Sequence, residues 1–206
     1  AVNTLVSSVA ANGNALSYSQ WLDCLSGVVL PLIKDVERQT QAATRVGVAA
    51  AHHEVRPGVP LAMHHSRDTA HKQWSETRLL ALRGLTRVIN TCTSLLLGEV
   101  WFHEAWAKTL EICKKSSHVS IADMEVAIGS LDVMFSMLKV VSTSASKISG
   151  GEMVESATKT LWIKAWEAIY DVCRFDFPAP ELALHISQSL LAIYSADEDG
   201  SSELLR

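Results

Sequence analysis

The spacing of the apolar residues constrains this chain more than any other feature. Between a few clusters of glycine and proline, apolar side chains recur every three or four residues, which is the period of an α-helix. One clear stripe consists of Trp74, Ala81, Leu85, Val88, Cys92 and Leu95. No stretch alternates apolar and polar residues as a half-buried strand would. The sequence therefore predicts an all-α fold.

Breaks in this period divide the chain into about seven predicted helices. We expect one domain over residues 1–195, with a long glycine- and proline-containing loop over 44–66 and a polar tail over 196–206. Pro31 falls inside the second predicted helix. Its ring opposes the carbonyl of Gly27, four residues back, so a kink is expected there.

Two segments of the chain repeat one pattern. Trp106 is followed seven residues later by Cys113, and Trp166 is followed seven residues later by Cys173; the segments read AWAKTLEIC and AWEAIYDVC. Such an internal repeat is typical of stacked helical hairpins, as in HEAT and armadillo arrays. The irregular spacing predicts a degenerate array of this type. Coincidence is the alternative, because the chain has six tryptophans.

The charge balance excludes one large class of partner. Lys and Arg number 18 against 22 Asp and Glu, which gives a net charge of -4, whereas nucleic-acid-binding domains are basic. Apolar residues make up 48% of the chain and charged residues 19%. An intrinsically disordered chain, which would be poor in apolar residues and highly charged, is therefore also excluded.

The familiar catalytic motifs are missing. His103-Glu104 begins like the zinc-protease motif H-E-x-x-H, but Ala107 stands where the second ligand would be. The sequence contains no phosphate-binding glycine loop and no nucleophile elbow. We therefore expect a non-enzyme with no catalytic residue and no cofactor.

A group of histidines is the only hint of a metal site. Imidazole is a good transition-metal ligand, and five histidines lie close together: His52, His53, His64, His65 and His71. Adjacent histidines point in different directions, and no cysteine accompanies them as in structural zinc sites. A polar loop with incidental histidines is the preferred interpretation, so no metal is predicted. An α-helical metal-binding or hydrolase domain remains a remote alternative.

The cysteines and the N-terminus indicate a compartment. The four cysteines lie in apolar runs and form no C-x-x-C pair. The N-terminus lacks the basic start and apolar core of a signal peptide. The longest apolar run, over residues 25–33, is shorter than the roughly 20 residues that span a bilayer. A reduced, soluble, cytosolic protein is expected, and the initial alanine suggests a stretch of a longer chain.

Candidate interaction residues come from one polar patch and from the tryptophans. The densest hydrophilic run borders the predicted loop and contributes Arg67, Asp68, Lys72, Gln73 and Glu76. Tryptophan is enriched at binding hot spots, and Trp101 and Trp162 lie near predicted helix starts, where they can be partly exposed. Trp74, Trp106 and Trp166 share their apolar stripes and are predicted to be core residues. The alternative for the polar patch is a solvated helix start.

Several of these segments resemble one known family. Residues 64–77, which read HHSRDTAHKQWSET, and residues 80–88, which read LALRGLTRV, are similar to the C-terminal region of the Mon-two proteins. Residues 16–25 (LSYSQWLDCL) and 161–166 (LWIKAW) fit the same region. The loop over 44–66 matches no family pattern.

The resemblance implies a function that the residue patterns alone do not. Mon-two proteins are large cytosolic HEAT/armadillo-type scaffolds related to the large Arf exchange factors, without the catalytic exchange domain. The resemblance implies peripheral association with trans-Golgi network and endosome membranes, and a role in endosome-to-Golgi transport. It implies a Dopey-family protein as partner, with phospholipid flippases or Arf-like GTPase machinery as further partners. A purely structural extension or cap of the solenoid, with partners bound elsewhere, is the alternative.

Overall fold

The structure is a computed structural model that describes residues 2–53, 70–117, 123–145, 152–174 and 180–197. Within these ranges every regular element is helical, so the all-α prediction is confirmed. We number seven helices: α1 (Val2–Asn12), α2 (Tyr18–Leu22, continuing through Asp23–Val29 and Leu30–His53), α3 (Ala70–Leu96), α4 (Val100–Ser117), α5 (Met124–Ala145), α6 (Glu152–Cys173) and α7 (Pro180–Asp197). The helix count agrees with the expected number.

The odd-numbered helices form one layer of parallel neighbours. Val6 of α1 lies against Gly84 of α3, and Thr91 lies against Gly13, which follows α1, so residue numbers rise together along the two helices. In the same way Ser136 of α5 donates a hydrogen bond to Asn90 of α3, and α7 packs on α5. Helices α1, α3, α5 and α7 are therefore stacked side by side.

The even-numbered helices form the second layer. Trp106 of α4 binds Leu161 of α6, and Lys114 of α4 binds Asp171 of α6, so these two helices are also parallel. Helices α2 and α3 pack against each other, as do α4 and α5, which joins the layers. This two-layer stack of helical hairpins is the predicted helical-repeat architecture.

Helix α5 lies at the centre of the stack and contacts α3, α4, α6 and α7. Its Met124–Ser144 segment is the one stretch of the described residues that is long and apolar enough to cross a bilayer, with a mean hydropathy of 1.5. The length of uninterrupted apolar runs did not indicate this segment, because Glu125, Asp132 and Lys139 divide it. Because 61% of that segment is buried inside the protein, packing by other helices accounts for its apolar character.

Helix α2 widens one turn before its proline. The backbone over Asp23–Val29 forms a π-helical turn, in which the N–H of Leu30 donates to the carbonyl of Leu25, five residues back. Such wide turns occur mostly as local insertions in α-helices. This one directly precedes Pro31, whose missing N–H already interrupts the regular hydrogen-bond ladder.

The predicted start of the long loop was wrong. Helix α2 continues to His53, ten residues into the region predicted as loop. The prediction relied on Gly47, but a single glycine costs a helix only about 1 kcal/mol. The surrounding alanines favour helix, and they outweigh that cost. The rest of the predicted loop, residues 54–66, lies outside the described residues, as does most of the predicted tail.

A single hydrophobic cluster includes buried residues from every helix of the described ranges. Two buried indoles anchor it. Trp21 of α2 donates its Nε1–H to the carbonyl of Gly13 at 3.1 Å, and Trp106 of α4 donates to the carbonyl of Leu161 at 3.1 Å. The polar atom of each large side chain is thus satisfied inside the core, as buried indoles require.

Candidate functional site

A groove of about 460 Å³ lies between the first turns of α3 and α5. The two helices are parallel, so both of their N-terminal ends reach the same end of the stack. Helix α3 contributes His71, Lys72, Ser75, Glu76 and Leu79, and the start of α5 contributes Asp123, Met124, Glu125 and Val126. We call this feature the α3–α5 groove. Most of its lining is polar or charged, which suits recognition of a polar surface.

Asp123 holds the two walls of the α3–α5 groove together. Ser75 Oγ donates a hydrogen bond of 2.7 Å to Asp123 Oδ1. His71 Nε2 lies 3.4 Å from the other carboxylate oxygen, Oδ2. The Asp123 side chain is only 12% exposed, so its two oxygens are committed to α3. Lys72, Glu76 and Glu125 are the exposed charged residues of the groove lining.

A largely buried ion pair lies close enough to Asp123 of this groove to interact with it electrostatically. Nη2 of Arg78 in α3 lies 3.2 Å from Oε1 of Glu37 in α2 and donates to Oγ of Ser116 in α4 at 2.7 Å. Burial lowers the pKa of the Arg78 guanidinium, and the negative charges of Glu37 and Asp123 oppose that shift. One guanidinium therefore connects three helices and fixes the position of the groove.

Arg78 was not among the residues predicted from the sequence, although its position on an apolar stripe could have indicated a buried charge. Arg78 falls four residues after Trp74 and three before Ala81, so it lies on the same stripe as the apolar residues of α3. A charged residue on a buried stripe is rarely left without a partner. The identity of that partner, Glu37, depends on how α2 packs on α3, and periodicity does not give that information.

The structure brings together only part of the predicted interaction patch. Lys72 and Glu76 both line the α3–α5 groove, and Gln73 is exposed on the same helix. Arg67 and Asp68 lie outside the described residues. Trp101 and Trp162 are half-buried and lie on α4 and α6, away from the groove lining.

The tryptophan predictions had mixed outcomes. Trp106 is fully buried, as predicted, and Trp74 is half-buried. The core prediction for Trp166 was wrong, because its side chain is 38% exposed. The buried side of α6 contains Leu161, Ala165 and Val172. Trp166 directly follows Ala165 in the sequence, so its side chain points about 100° around the helix from that residue. Trp162 and Trp166 stack with their rings 7° from parallel and their centroids 5.7 Å apart.

The cysteines of the described residues are all free thiols. Cys92 and Cys113 are fully buried. Burial raises the pKa of Cys113 to about 12, against the opposing charge of Arg78. Burial also raises the pKa of Cys92. Both are therefore protonated, unreactive packing residues at neutral pH.

Within the described part of the chain, no three His, Cys, Asp or Glu side chains come together as a metal-binding group. Of the five clustered histidines, His64 and His65 lie outside the described residues. His71 lies beside Asp123 in the α3–α5 groove, and two such ligands do not make a tetrahedral site.

Comparison with known proteins agrees with the resemblance. The family described as the C-terminal region of Mon2 protein matches residues 1–162. A Drosophila melanogaster protein named Protein MON2 homolog is 35% identical over 129 residues, which cover 59% of this chain and 7% of that protein. The Homo sapiens Protein MON2 homolog is 32% identical over 145 residues, 68% of this chain and 8% of that protein.

A more distant relative is matched over more of the chain. Monensin-resistant homolog 2 of Caenorhabditis elegans is 26% identical over 189 residues, 84% of this chain and 11% of that protein. The chain thus spans about a tenth of the length of these relatives. No solved structure shows significant similarity to it. Because the family match covers more than half of its residues, this chain belongs to the Mon2 family and corresponds to part of its C-terminal region.

Proposed function

We propose that this chain is a non-catalytic segment of a helical-repeat scaffold that binds proteins in endosome-to-Golgi and trans-Golgi transport. Membership of the Mon2 family supports the scaffold role. The observation that carries the binding role is the α3–α5 groove, which presents one positive and two negative side chains, those of Lys72, Glu76 and Glu125. The protein would work on the cytoplasmic side of trans-Golgi network and endosome membranes, held there through the longer protein.

The charges of the groove define the partner surface that it fits. Glu76 and Glu125 favour a basic residue of the partner, and Lys72 favours an acidic one. Charge complementarity of this kind sets specificity and association rate more than affinity. The preferred partner is a Dopey-family protein. Phospholipid flippases or Arf-like GTPase machinery would be reached through the same scaffold.

The groove is preorganised for such binding. Ser75 and Asp123 fix the distance between its walls, and the Arg78–Glu37 pair holds α3, which carries one wall, against α2. Binding a partner therefore requires little reordering of the backbone on this side, which lowers the entropic cost of association. The competing candidate is a purely structural solenoid segment.

A charge swap tests the groove directly. The double variant Lys72→Glu, Glu76→Lys keeps the net charge and reverses the local pattern. We expect this variant to reduce the amount of Dopey-family protein that co-precipitates with the chain from a cell lysate. The melting temperature of the chain should not change. Glu104 and Lys108 form an exposed pair with the same four-residue spacing on α4, so the swap Glu104→Lys, Lys108→Glu is the matched control. Undiminished binding by the first double variant would show that the groove is not the binding site.

A further inference from the structure

Helix α6, the final even-numbered helix of the described residues, exposes a row of aromatic side chains. Trp162, Trp166 and Tyr170 are spaced four residues apart on α6, which places them on one flank of the helix. Trp166 is 38% exposed and Tyr170 is 57% exposed, with Ile163 beside them at 40%. Scattered exposed apolar residues are ordinary, but a contiguous row of this size marks an interaction surface. We call these three aromatic residues the α6 row.

The α6 row faces away from α4. Helix α6 turns Lys164, Ala168 and Asp171 toward α4, where they line a small charged groove of about 190 Å³ with residues of that helix. At 100° per residue, Trp162 and Trp166 lie about 160° around the helix from Lys164 and Ala168. The row is therefore the flank on which a further helix of this layer would stack.

The chain itself contains the template for the missing contact. When the two echoed segments are aligned and the alignment is continued one helical turn upstream, Phe102, Trp106 and Leu110 of α4 correspond to Trp162, Trp166 and Tyr170 of α6. On α4 these three side chains are at most 5% exposed. The α6 helix covers this part of α4, and the Leu161 carbonyl accepts the Trp106 indole N–H.

Charge at the helix end extends the parallel. Lys114, at the last turn of α4, binds Asp171 of α6 at 3.2 Å. Arg174 follows the last turn of α6 at the corresponding position of the echo, and its guanidinium lies over the Tyr170 ring at 5.9 Å. A helix bound to the α6 row would meet the Arg174 guanidinium at the position where α6 meets Lys114 of α4.

Two further observations indicate that a contact beside α6 and α7 is not supplied by the described residues. Trp162 Nε1 is buried, yet it has no hydrogen-bond acceptor among the described residues, unlike the indoles of Trp21 and Trp106. Helix α7, the last of the odd-numbered layer, also exposes Leu184, Leu191 and Tyr194 along one face. Solenoid ends that remain in water normally carry polar outer faces.

We propose that the α6 row is the docking site for an amphipathic α-helix of a partner protein, which stacks on α6 as α6 stacks on α4. The partner helix runs parallel to α6, packs small and aliphatic side chains on Trp166 and Tyr170, and directs a carboxylate at Arg174. This site uses different residues from the α3–α5 groove, so the two assignments stand or fall separately.

The appropriate probe is a helical peptide that carries the residues with which α6 contacts α4. We would use a fluorescent peptide with the sequence of residues 157–174, stapled because short helices are marginal in water. Four positions outside its α4-facing side are changed to glutamine: the exposed Trp166 and Tyr170 and the half-buried Trp162 and Cys173. We expect saturable binding by fluorescence anisotropy, and a blue shift of tryptophan emission from the protein as its α6 row is covered.

Charge reversal identifies where the peptide binds. Arg174→Glu in the protein is expected to weaken binding about fivefold, as for loss of one exposed ion pair. A peptide carrying Asp171→Lys is expected to recover binding to that variant. Lys114→Glu is the control, because it alters the α4 contact and leaves the α6 row intact.

Three outcomes would overturn the proposal. These are the absence of saturable peptide binding, equal weakening by Lys114→Glu and Arg174→Glu, and failure of the swapped peptide to recover binding. A separate experiment tests whether a second copy of the chain occupies the α6 row. If sedimentation velocity shows a dimer that Trp166→Gln dissociates, the row is a self-association surface and the partner-helix proposal is wrong.

Discussion

Trp106 of α4 donates its indole N–H to the backbone carbonyl of Leu161 in α6, at 3.1 Å, and both residues are completely buried. This bond links two helices that are neighbours in space and separated in sequence by all of α5. It sets the height at which α6 stacks on α4. The salt bridge between Lys114 and Asp171, two turns further along, keeps the same register.

The first prediction concerns this bond. Trp106→Phe removes the donor and part of the ring, so we expect the free energy of unfolding to fall by about 2 kcal/mol. Trp166→Phe makes the same chemical change at the echoed position, where the ring is exposed, and is expected to change stability by less than about 0.5 kcal/mol. Urea unfolding followed by circular dichroism measures both. Equal losses would mean that the bond does not hold the register.

Helix positions could be predicted from the sequence because each helix carries its own apolar stripe. The stripe of α3, from Trp74 to Leu95, belongs to one continuous helix over Ala70–Leu96. The layered stack could also be anticipated, because the echo around Trp106 and Trp166 marks two helices that occupy the same layer. These features depend on local spacing, which a single sequence contains.

Exposure could not be predicted, because it depends on neighbours. Trp106 and Trp166 have the same local sequence pattern, but among the described residues only Trp106 has the following helix of its layer beside it. Only one wall of the groove could be predicted from the sequence. Lys72 and Glu76 belong to a single polar run, whereas Asp123 comes from a different helix. Only the parallel packing of α3 and α5 brings that carboxylate to Ser75.

A second prediction tests the buried ion pair. Arg78→Met leaves the Glu37 carboxylate, which is 17% exposed, without its cation. We expect a loss of about 3 kcal/mol, at the low end for breaking a buried pair. Adding Glu37→Gln removes the unpaired charge, so the double variant should be more stable than Arg78→Met alone. Arg87→Met, an exposed change on the same helix, is the control and is expected to be neutral in the same urea titrations.

A third prediction uses two glycines in helices. A Cβ atom at Gly84 would lie 2.6 Å from Cγ2 of Val6, a stiff β-branched side chain. Gly84→Ala should therefore push α1 away from α3 and cost about 1–3 kcal/mol. A Cβ atom at Gly27 meets nothing within 4 Å, so Gly27→Ala should be neutral or stabilise by up to about 1 kcal/mol. Thermal unfolding of both variants distinguishes them, and a stabilising Gly84→Ala would show that α1 does not pack as described.

The last prediction concerns pH and the buried thiol of Cys113. Its pKa is raised from 9.0 to about 12 in the folded protein, so between these values the unfolded chain loses a proton that the native state keeps. The contribution of this thiol to the free energy of unfolding is fully present below pH 9 and decreases as the pH rises toward 12. From pH 8 to pH 10 the loss from Cys113 is about 1.4 kcal/mol.

Urea unfolding at the two pH values isolates this contribution. Cys113→Ala lowers stability by a constant amount at both pH values, because it leaves a small cavity. It should, however, lose about 1.4 kcal/mol less than the wild type between pH 8 and pH 10. Cys173→Ala, at the echoed and half-buried position on α6, is the matched control and should follow the wild type more closely. If Cys113→Ala and the wild type lose the same amount, the Cys113 thiol is not sealed from water in the native state.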